Sequence, residues 1–251
     1  MKIHLLVYSN NEPFETTKRL TVDSLPRYTN KEFLIHEYDL DKIKQLKWFS
    51  KIQGLPTINR AGKRDGYYNS WKAFLTKEVY DKMGREDILY YVDSSQYFRN
   101  GFTQNIDKLC DIAFLKGCIA GSVGNNVLNN SYSCCDNLSV WNAMIPNHDN
   151  SVHLSKMHVL NSWFIMTKND LNTQFVNDWT HYCLYTDETL LCPLITYHHT
   201  ADQSIFNILV TKYELPVFYS QNVIHDENKN KNRVLEIINA SESCDPFIIS
   251  L

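Results

Sequence analysis

Short apolar runs that alternate with helical patterns in the first part of the chain restrict its fold most. Residues 2–8, 32–38 and 88–92 are compact aliphatic and β-branched runs, which are typical of buried strands. Residues 14–25 and 69–84 lie between these runs and predict helices. Strands that alternate with helices in this way pair in parallel through right-handed crossovers. The predicted fold class is therefore α/β.

The helix predicted over residues 69–84 is the clearest in the chain. Its apolar residues recur at every fourth position, namely at Trp71, Leu75, Val79 and Met83. This spacing places them on one helix face. Asn69 or Ser70 can cap the start of the helix, and Gly84 can end it.

The remaining patterns are weaker. They predict a helix at 42–50, a strand at 112–115, a loop at 117–133, a strand at 160–167, and helices at 169–182 and 200–213. The loop is rich in Gly, Asn and Ser and is long enough to be a functional flap. Thr200 and Gln203 have the spacing of a capping box, which specifies the start of the last helix.

The composition excludes several classes of protein. A hydrophobic fraction of 43% and a charged fraction of 21% argue against a disordered chain. The net charge of -3 provides no positive field for nucleic acid or anionic lipid. No run approaches the roughly 20 apolar residues of a membrane-spanning helix. The first apolar run is too short for a signal peptide, and the seven Cys include no CxxC pair. We expect a cytoplasmic protein with no nucleic-acid partner and no transmembrane segment.

Asp93 is the strongest local indication of function. It follows directly after the predicted strand at 88–92. Ligands of open α/β sheets bind beyond the carboxyl ends of the strands. A carboxylate at that edge can hold a divalent cation that bridges the phosphates of a nucleotide. The alternative is an Asp that only turns the chain, with its oxygens satisfied by Ser94 and Ser95.

A basic segment and a second acid are further candidates. Residues 60–72 combine four cations and two glycines ahead of a helix, which suits a diphosphate as well as a solvated loop. Lys72 is the most specific of these cations because the first helical turn holds it, where the helix dipole disfavours a positive charge. Asp202 opens the predicted helix at 200–213, either as a functional acid or as a partner of the helix dipole.

Several of these features follow the order of a known family. Residues 64–98, RDGYYNSWKAFLTKEVYDKMGREDILYYVDSSQYF, resemble the glycosyltransferase pattern R-G-x-x-Y-W-x-W-K-P…G-D-I-L-x-Y-x-D-x-G. Residues 160–183 contain the family's F-x-x-x-W segment, and residues 201–215 are similar to its D-Q-S-[IV]-[FL] helix. Ile224-His225 is a fainter match to the closing I-x-H. The chain therefore resembles nucleotide-sugar glycosyltransferases of the GT-A fold, of the kind found in bacteria and in large DNA viruses of algae or amoebae.

The resemblance implies one Rossmann-like GT-A domain over residues 1–251, with a mixed, mostly parallel central sheet flanked by helices. Residues 1–110 would form the half that binds the nucleotide sugar, and residues 111–251 the half that binds the acceptor. The implied reaction moves a hexose or pentose from a nucleoside-diphosphate sugar to a hydroxyl of a glycan. UDP is the more expected nucleotide and GDP the less expected one, and Mn²⁺ or Mg²⁺ is the expected cofactor.

The resemblance also assigns roles to individual residues. The implied donor-binding residues are Ser9, Arg64, Lys72, Asp93 and Ser95. The implied metal ligands are Asp93 and His225. The candidate general base is Asp202, with Asp187 and Glu188 as alternatives. The chain departs from the family because Ser95 replaces the second acid of Asp-x-Asp. Either Asp93 then holds the cation with His225 or water, or metal use is weakened or lost.

Two other functions stay open at this point. The chain could be a nucleotide- or glycan-binding module without catalytic activity, since it lacks the second acid. It could also be a phosphate-handling hydrolase that uses Asp93, although it has neither a GxxxxGK[ST] loop nor a DxDx nucleophile motif.

Overall fold

The structure is a computed structural model. It describes residues 1–9, 14–28, 31–54, 70–94, 96–97, 110–111, 113–115, 117–123, 138–147, 159–184, 202–215, 217–220, 235–236 and 248–249.

Strands and helices alternate along the described part of the chain. The strands are β1 (Ile3–Tyr8), β2 (Phe33–Tyr38), β3 (Ile88–Val92), β4 (Gln96–Tyr97), β5 (Cys118–Val123), β6 (Val159–Thr167), β7 (Val217–Ser220), β8 (Leu235–Glu236) and β9 (Ile248–Ile249). The helices are α1 (Phe14–Tyr28), α2 (Leu40–Lys44), α3 (Phe49–Ile52), α4 (Trp71–Lys82), α5 (Leu138–Met144), α6 (Asp170–Tyr182) and α7 (Asp202–Lys212). None of these described helices is long and apolar enough to cross a membrane.

Seven of the described strands form one sheet in the order β2-β1-β3-β6-β5-β7-β9. β1 pairs in parallel with β2 and β3, and β5 pairs in parallel with β7. β6 runs antiparallel to both β3 and β5, and β9 runs antiparallel to β7. The other five strands therefore point the same way. The predicted α/β class, with a mixed and mostly parallel sheet flanked by helices, is confirmed.

Apolar side chains on both faces of the sheet form the core. Ile3, Leu5 and Val7 pack with Leu25 of α1 on one face. Leu6 and Tyr8 of the same strand point to the other face, into a larger cluster with α4, α6 and α7. Alternate residues of a strand lie on opposite faces, so a strand covered on both sides is apolar throughout. All residues of β1 and β3 are buried for this reason.

Two local predictions in the middle of the chain are wrong. The strand predicted at 112–115 is helical at 110–111 and 113–115. Cys110 and Ala113 are buried while Leu115 is 82% exposed, which is the spacing of a helix and not the alternation of a strand. The loop predicted at 117–133 contains β5. Its small residues form a strand because β6 and β7 pair with it on both sides.

The boundaries of other predicted elements shift by a few residues. The helix predicted at 14–25 continues to Tyr28 and includes Pro26. The helix predicted at 42–50 is two short helices, α2 and α3. Ser70 precedes α4 but makes no capping bond, because its hydroxyl donates to the carbonyl of Cys183, at 3.3 Å. Thr200, the predicted cap of α7, lies outside the described residues.

A histidine pair at the edge of the sheet makes stability depend on pH. Nδ1 of His4 lies 3.0 Å from Nε2 of His36, and Nε2 of His4 lies 3.5 Å from Asp87. Burial lowers the pKa of His4, and burial together with the neighbouring His4 lowers the pKa of His36 to about 4. Between pH 6.5 and pH 4 the unfolded chain therefore binds protons that the folded chain does not.

We therefore expect the free energy of unfolding to fall as the pH drops from about 6.5 towards 4. His36 contributes about 1–2 kcal/mol to this fall in the free energy of unfolding. This figure is discounted because the side chain is only half-buried and solvent weakens the effect. Urea unfolding at several pH values measures this dependence, and the variant His36→Gln should flatten it. An equally steep pH dependence in the variant would show that the pair is not responsible.

Candidate functional site

Asp93 lies at the carboxyl edge of the sheet. The five residues of β3 are buried, and the chain leaves the core at Asp93, whose side chain is 30% exposed. Because β1 and β3 are parallel and adjacent, the end of β1 lies beside the end of β3. This is the edge at which open α/β sheets bind ligands.

Lys72 forms an ion pair with Asp93. The lysine lies in the first turn of α4 and its side chain is 6% exposed. Its Nζ lies 3.0 Å from Oδ1 of Asp93 and donates to Asn161 at both the backbone carbonyl, at 3.2 Å, and the side-chain oxygen, at 3.1 Å. An ammonium group has three donor protons, and these three acceptors use them all. The direct contact with a diphosphate that the sequence implied for Lys72 would therefore have to displace one of them.

Asn161 connects this ion pair to Asp202. It lies near the start of β6, next to the end of β3, where Val92 is the register partner of Trp163. Its side-chain amide donates to Oδ2 of Asp202, at 2.6 Å. Asp202 opens α7 and is 1% exposed. Asp93, Lys72, Asn161 and Asp202 thus form one continuous network, which we call the edge network.

Tyr91 makes the second contact with Asp93. Its hydroxyl donates to Oδ1 of Asp93, at 2.5 Å. Burial, and to a lesser extent the charge of Asp93, raise the pKa of this phenol well above its ordinary value, so it stays protonated. Both contacts thus fall on Oδ1, and Oδ2 has no hydrogen-bond donor among the described residues.

Ser9 is directed away from the edge network. Its hydroxyl donates to the carboxylate of Glu15 in α1, and its backbone N–H donates to the carbonyl of Tyr38, at 3.2 Å. The bond from Ser9 lowers the pKa of Glu15. Donor binding by Ser9 therefore stays a prediction. The other implied site residues, Arg64, Ser95 and His225, and the alternative bases Asp187 and Glu188, lie outside the described residues.

Tyr91 and Asn161 are the members of the site that the sequence did not single out. Tyr91 stands two positions before Asp93, and residues at this spacing in an extended chain lie on the same face. The spacing could therefore have predicted that the two side chains are close. Asn161 was harder to find because it lies in an irregular part of β6. Leu160 and Phe164 pair with Gly121 and Ala120, which are consecutive, so the residues between Leu160 and Phe164 bulge from that pairing. A bulge redirects side chains, and the alternation rule does not place them.

The charge of the edge network favours a cation. Two carboxylates and one ammonium leave a net charge of -1 when all three are ionised. This charge would repel a free diphosphate, and a divalent cation between the carboxylate and the phosphate oxygens would remove that repulsion.

The residues fit a divalent cation that is held largely by its substrate. Among the described residues, no three His, Cys, Asp or Glu side chains are grouped to hold a metal ion. Mg²⁺ does not require such a group, since it is often bound by one or two carboxylates together with phosphate oxygens and water. Oδ2 of Asp93 is a suitable oxygen ligand because the side chain is 30% exposed and no described residue donates to this oxygen.

The comparisons with known proteins include a distant structural likeness. No family model and no curated protein matches the chain. The fold is similar to that of the crystal structure of mouse xyloside xylosyltransferase 1 in its apo form, with a TM-score of 0.49 and 11% sequence identity. The match covers 84% of this chain and 82% of that chain. A likeness this distant does not establish an activity, so the function has to follow from the geometry of the edge network.

Proposed function

We propose that this protein is a nucleotide-sugar glycosyltransferase of the GT-A type. It would transfer a hexose or pentose from a nucleoside-diphosphate sugar, UDP-linked more than GDP-linked, to a hydroxyl of a glycan acceptor. Mn²⁺ or Mg²⁺ would assist the reaction. The same proposal covers residues 1–251 as one domain whose first half, 1–110, binds the donor and whose second half, 111–251, binds the acceptor.

The observation that carries this proposal is the state of the Asp93 carboxylate. One oxygen is fixed by Lys72 and Tyr91, and the other has no donor among the described residues, on a side chain that is 30% exposed at the carboxyl edge of the sheet. A carboxylate that only ended a strand would need no buried lysine beside it. Taking an ammonium group out of water costs several kcal/mol, so a buried pair of this kind is weak evidence for a purely stabilising role, and it supports a functional one here.

The chemistry divides between the two ends of the edge network. In sugar transfer the bond between the anomeric carbon and the phosphate oxygen breaks, and its electron pair leaves with the nucleoside diphosphate. A divalent cation bound at Asp93 would neutralise the charge that develops on this leaving group. The acceptor hydroxyl forms the new bond to the anomeric carbon and gives up its proton to a base. Asp202 is the proposed base, with Asn161 orienting its carboxylate.

The proposal is tested by binding of the nucleotide. UDP together with Mn²⁺ should raise the melting temperature of the protein, because a ligand that binds only the folded state stabilises it. The variant Asp93→Asn should lose this shift. GDP should produce a smaller one.

Asp178 provides a matched control for this experiment. It is 27% exposed and it contacts a lysine and a tyrosine, Lys212 at 2.8 Å and Tyr213 at 2.7 Å, as Asp93 does. It lies on α6, and its contacts go to Lys212 and Tyr213 and not to the edge network. Asp178→Asn should therefore keep the shift with UDP and Mn²⁺. If neither nucleotide shifts the wild-type protein, the proposed function is wrong.

One observation favours the binding module without catalytic activity. Asp202 is 1% exposed, which restricts the access of an acceptor hydroxyl to the proposed base. A binding module would show the same melting shift but would never release UDP from a UDP-sugar. Release of UDP by the wild-type protein, together with its loss in Asp202→Asn, would exclude that alternative.

A further inference from the structure

We propose that Tyr91 is a positioning residue for Asp93. Its hydroxyl, together with Lys72, holds Oδ1 of the carboxylate towards the core, so that Oδ2 is presented to the cation-bound diphosphate. This inference rests on the proposed function, because it explains how the Asp93 carboxylate is oriented to bind the cation that the function requires.

The strand itself brings the two side chains together. Tyr91 and Asp93 are two positions apart, so both side chains leave the same face of the chain. The tyrosine hydroxyl reaches the carboxylate at 2.5 Å, and the ammonium of Lys72 reaches the same oxygen at 3.0 Å. Two donors on one oxygen fix the rotation of the carboxylate, because a turn of the group would break both bonds.

The ring of Tyr91 is held rigidly enough to serve this purpose. It is fully buried and stacks on Phe164, with ring centroids 5.0 Å apart and an interplanar angle of 16°. The ammonium of Lys72 lies 5.0 Å from the centre of the same ring. A hydroxyl on a ring packed in this way returns Asp93 to one orientation after each ligand has left.

Tyr90 offers a matched control on the same strand. It is also fully buried, but it points to the opposite face and belongs to the other core cluster, with Ile3 and Leu5. Tyr90→Phe and Tyr91→Phe each remove one phenolic oxygen from a buried position of β3. Only the second change alters the surroundings of Asp93.

The first arm of the test measures binding of Mn²⁺ and UDP. Free Mn²⁺ is followed by electron paramagnetic resonance while UDP and protein are titrated. Tyr91→Phe should weaken binding of Mn²⁺ and UDP about tenfold or more. The loss of a hydrogen bond to a charged group typically changes an equilibrium constant by at least this factor. Tyr90→Phe should bind within about twofold of the wild type, since it leaves Asp93 unchanged. Wild-type affinity in a folded Tyr91→Phe variant would overturn the proposal.

The second arm uses no ligand, so it separates this proposal from the proposed function. The melting temperature is measured for Tyr91→Phe, Asp93→Ala and the double variant. If Tyr91 holds Asp93, Tyr91→Phe should lower the melting temperature by several degrees when Asp93 is present. The same change should lower it much less in the Asp93→Ala background. Additive shifts would overturn the positioning role. If the wild type binds no Mn²⁺ and UDP while the shifts are non-additive, the function is wrong and the contact between Tyr91 and Asp93 stands.

Discussion

Replacing Lys72 with methionine is expected to destabilise the protein by about 3 kcal/mol, because the change leaves a partly buried carboxylate without its cation. The lysine also satisfies two oxygens of Asn161, which would lose their donor. Methionine keeps most of the aliphatic volume, so the loss is one of charge and hydrogen bonds. Urea unfolding with linear extrapolation to water gives the free energy that tests this expectation.

Two companion variants make the result specific. Adding Asp93→Asn to Lys72→Met should recover a large part of the loss, since it removes the uncompensated charge. Lys212→Met removes a lysine that pairs with Asp178 at 2.8 Å but is 30% exposed. An exposed pair of this kind contributes about 1 kcal/mol or less. Equal losses in Lys72→Met and Lys212→Met would mean that the edge network gives Lys72 no special role.

Replacing Gly117 with alanine is expected to destabilise the protein by about 2–4 kcal/mol, since backbone strain adds to a lost helix cap. Gly117 has a φ of 88°, in the region that residues with a Cβ avoid. An added Cβ would lie 2.8 Å from Nδ2 of Asn169. The side chain of Asn169 caps α6 by accepting from the backbone N–H of Asn172, so it cannot move without losing that bond.

Gly54 is the control for this variant. A Cβ there would meet nothing within 4 Å, so Gly54→Ala should change the free energy of unfolding by about 0.5 kcal/mol or less. Urea unfolding of both variants measures the difference. A loss below 1 kcal/mol in Gly117→Ala would show that the turn before β5 relaxes easily.

The elements that the sequence predicted well are those whose pattern is local. β3 has the bounds that its apolar run predicted, and α4 begins at Trp71. Both carry enough apolar residues in sequence to specify their own conformation. β5 was missed because its residues are small, and only pairing with β6 and β7 makes a strand of them.

The candidate site divides in the same way. The position of Asp93 followed from the end of a predicted strand. The contact between Lys72 and Asn161 did not, because these residues are 89 positions apart and the register of β6 against β3 sets where Asn161 lies. A single sequence contains no signal for that register. It also gave no sign that the donors of Lys72 would all be used within the protein.

The central claim is that Asp93 holds the cation-bound diphosphate of a sugar nucleotide. Incubating the protein with a panel of UDP- and GDP-sugars and Mn²⁺, and measuring which one releases its nucleoside diphosphate, tests this most directly. We predict that the wild type and Asp178→Asn consume one of the UDP-sugars and that Asp93→Asn consumes none. Consumption at the wild-type rate by Asp93→Asn, or no consumption by any of the three proteins, would contradict it.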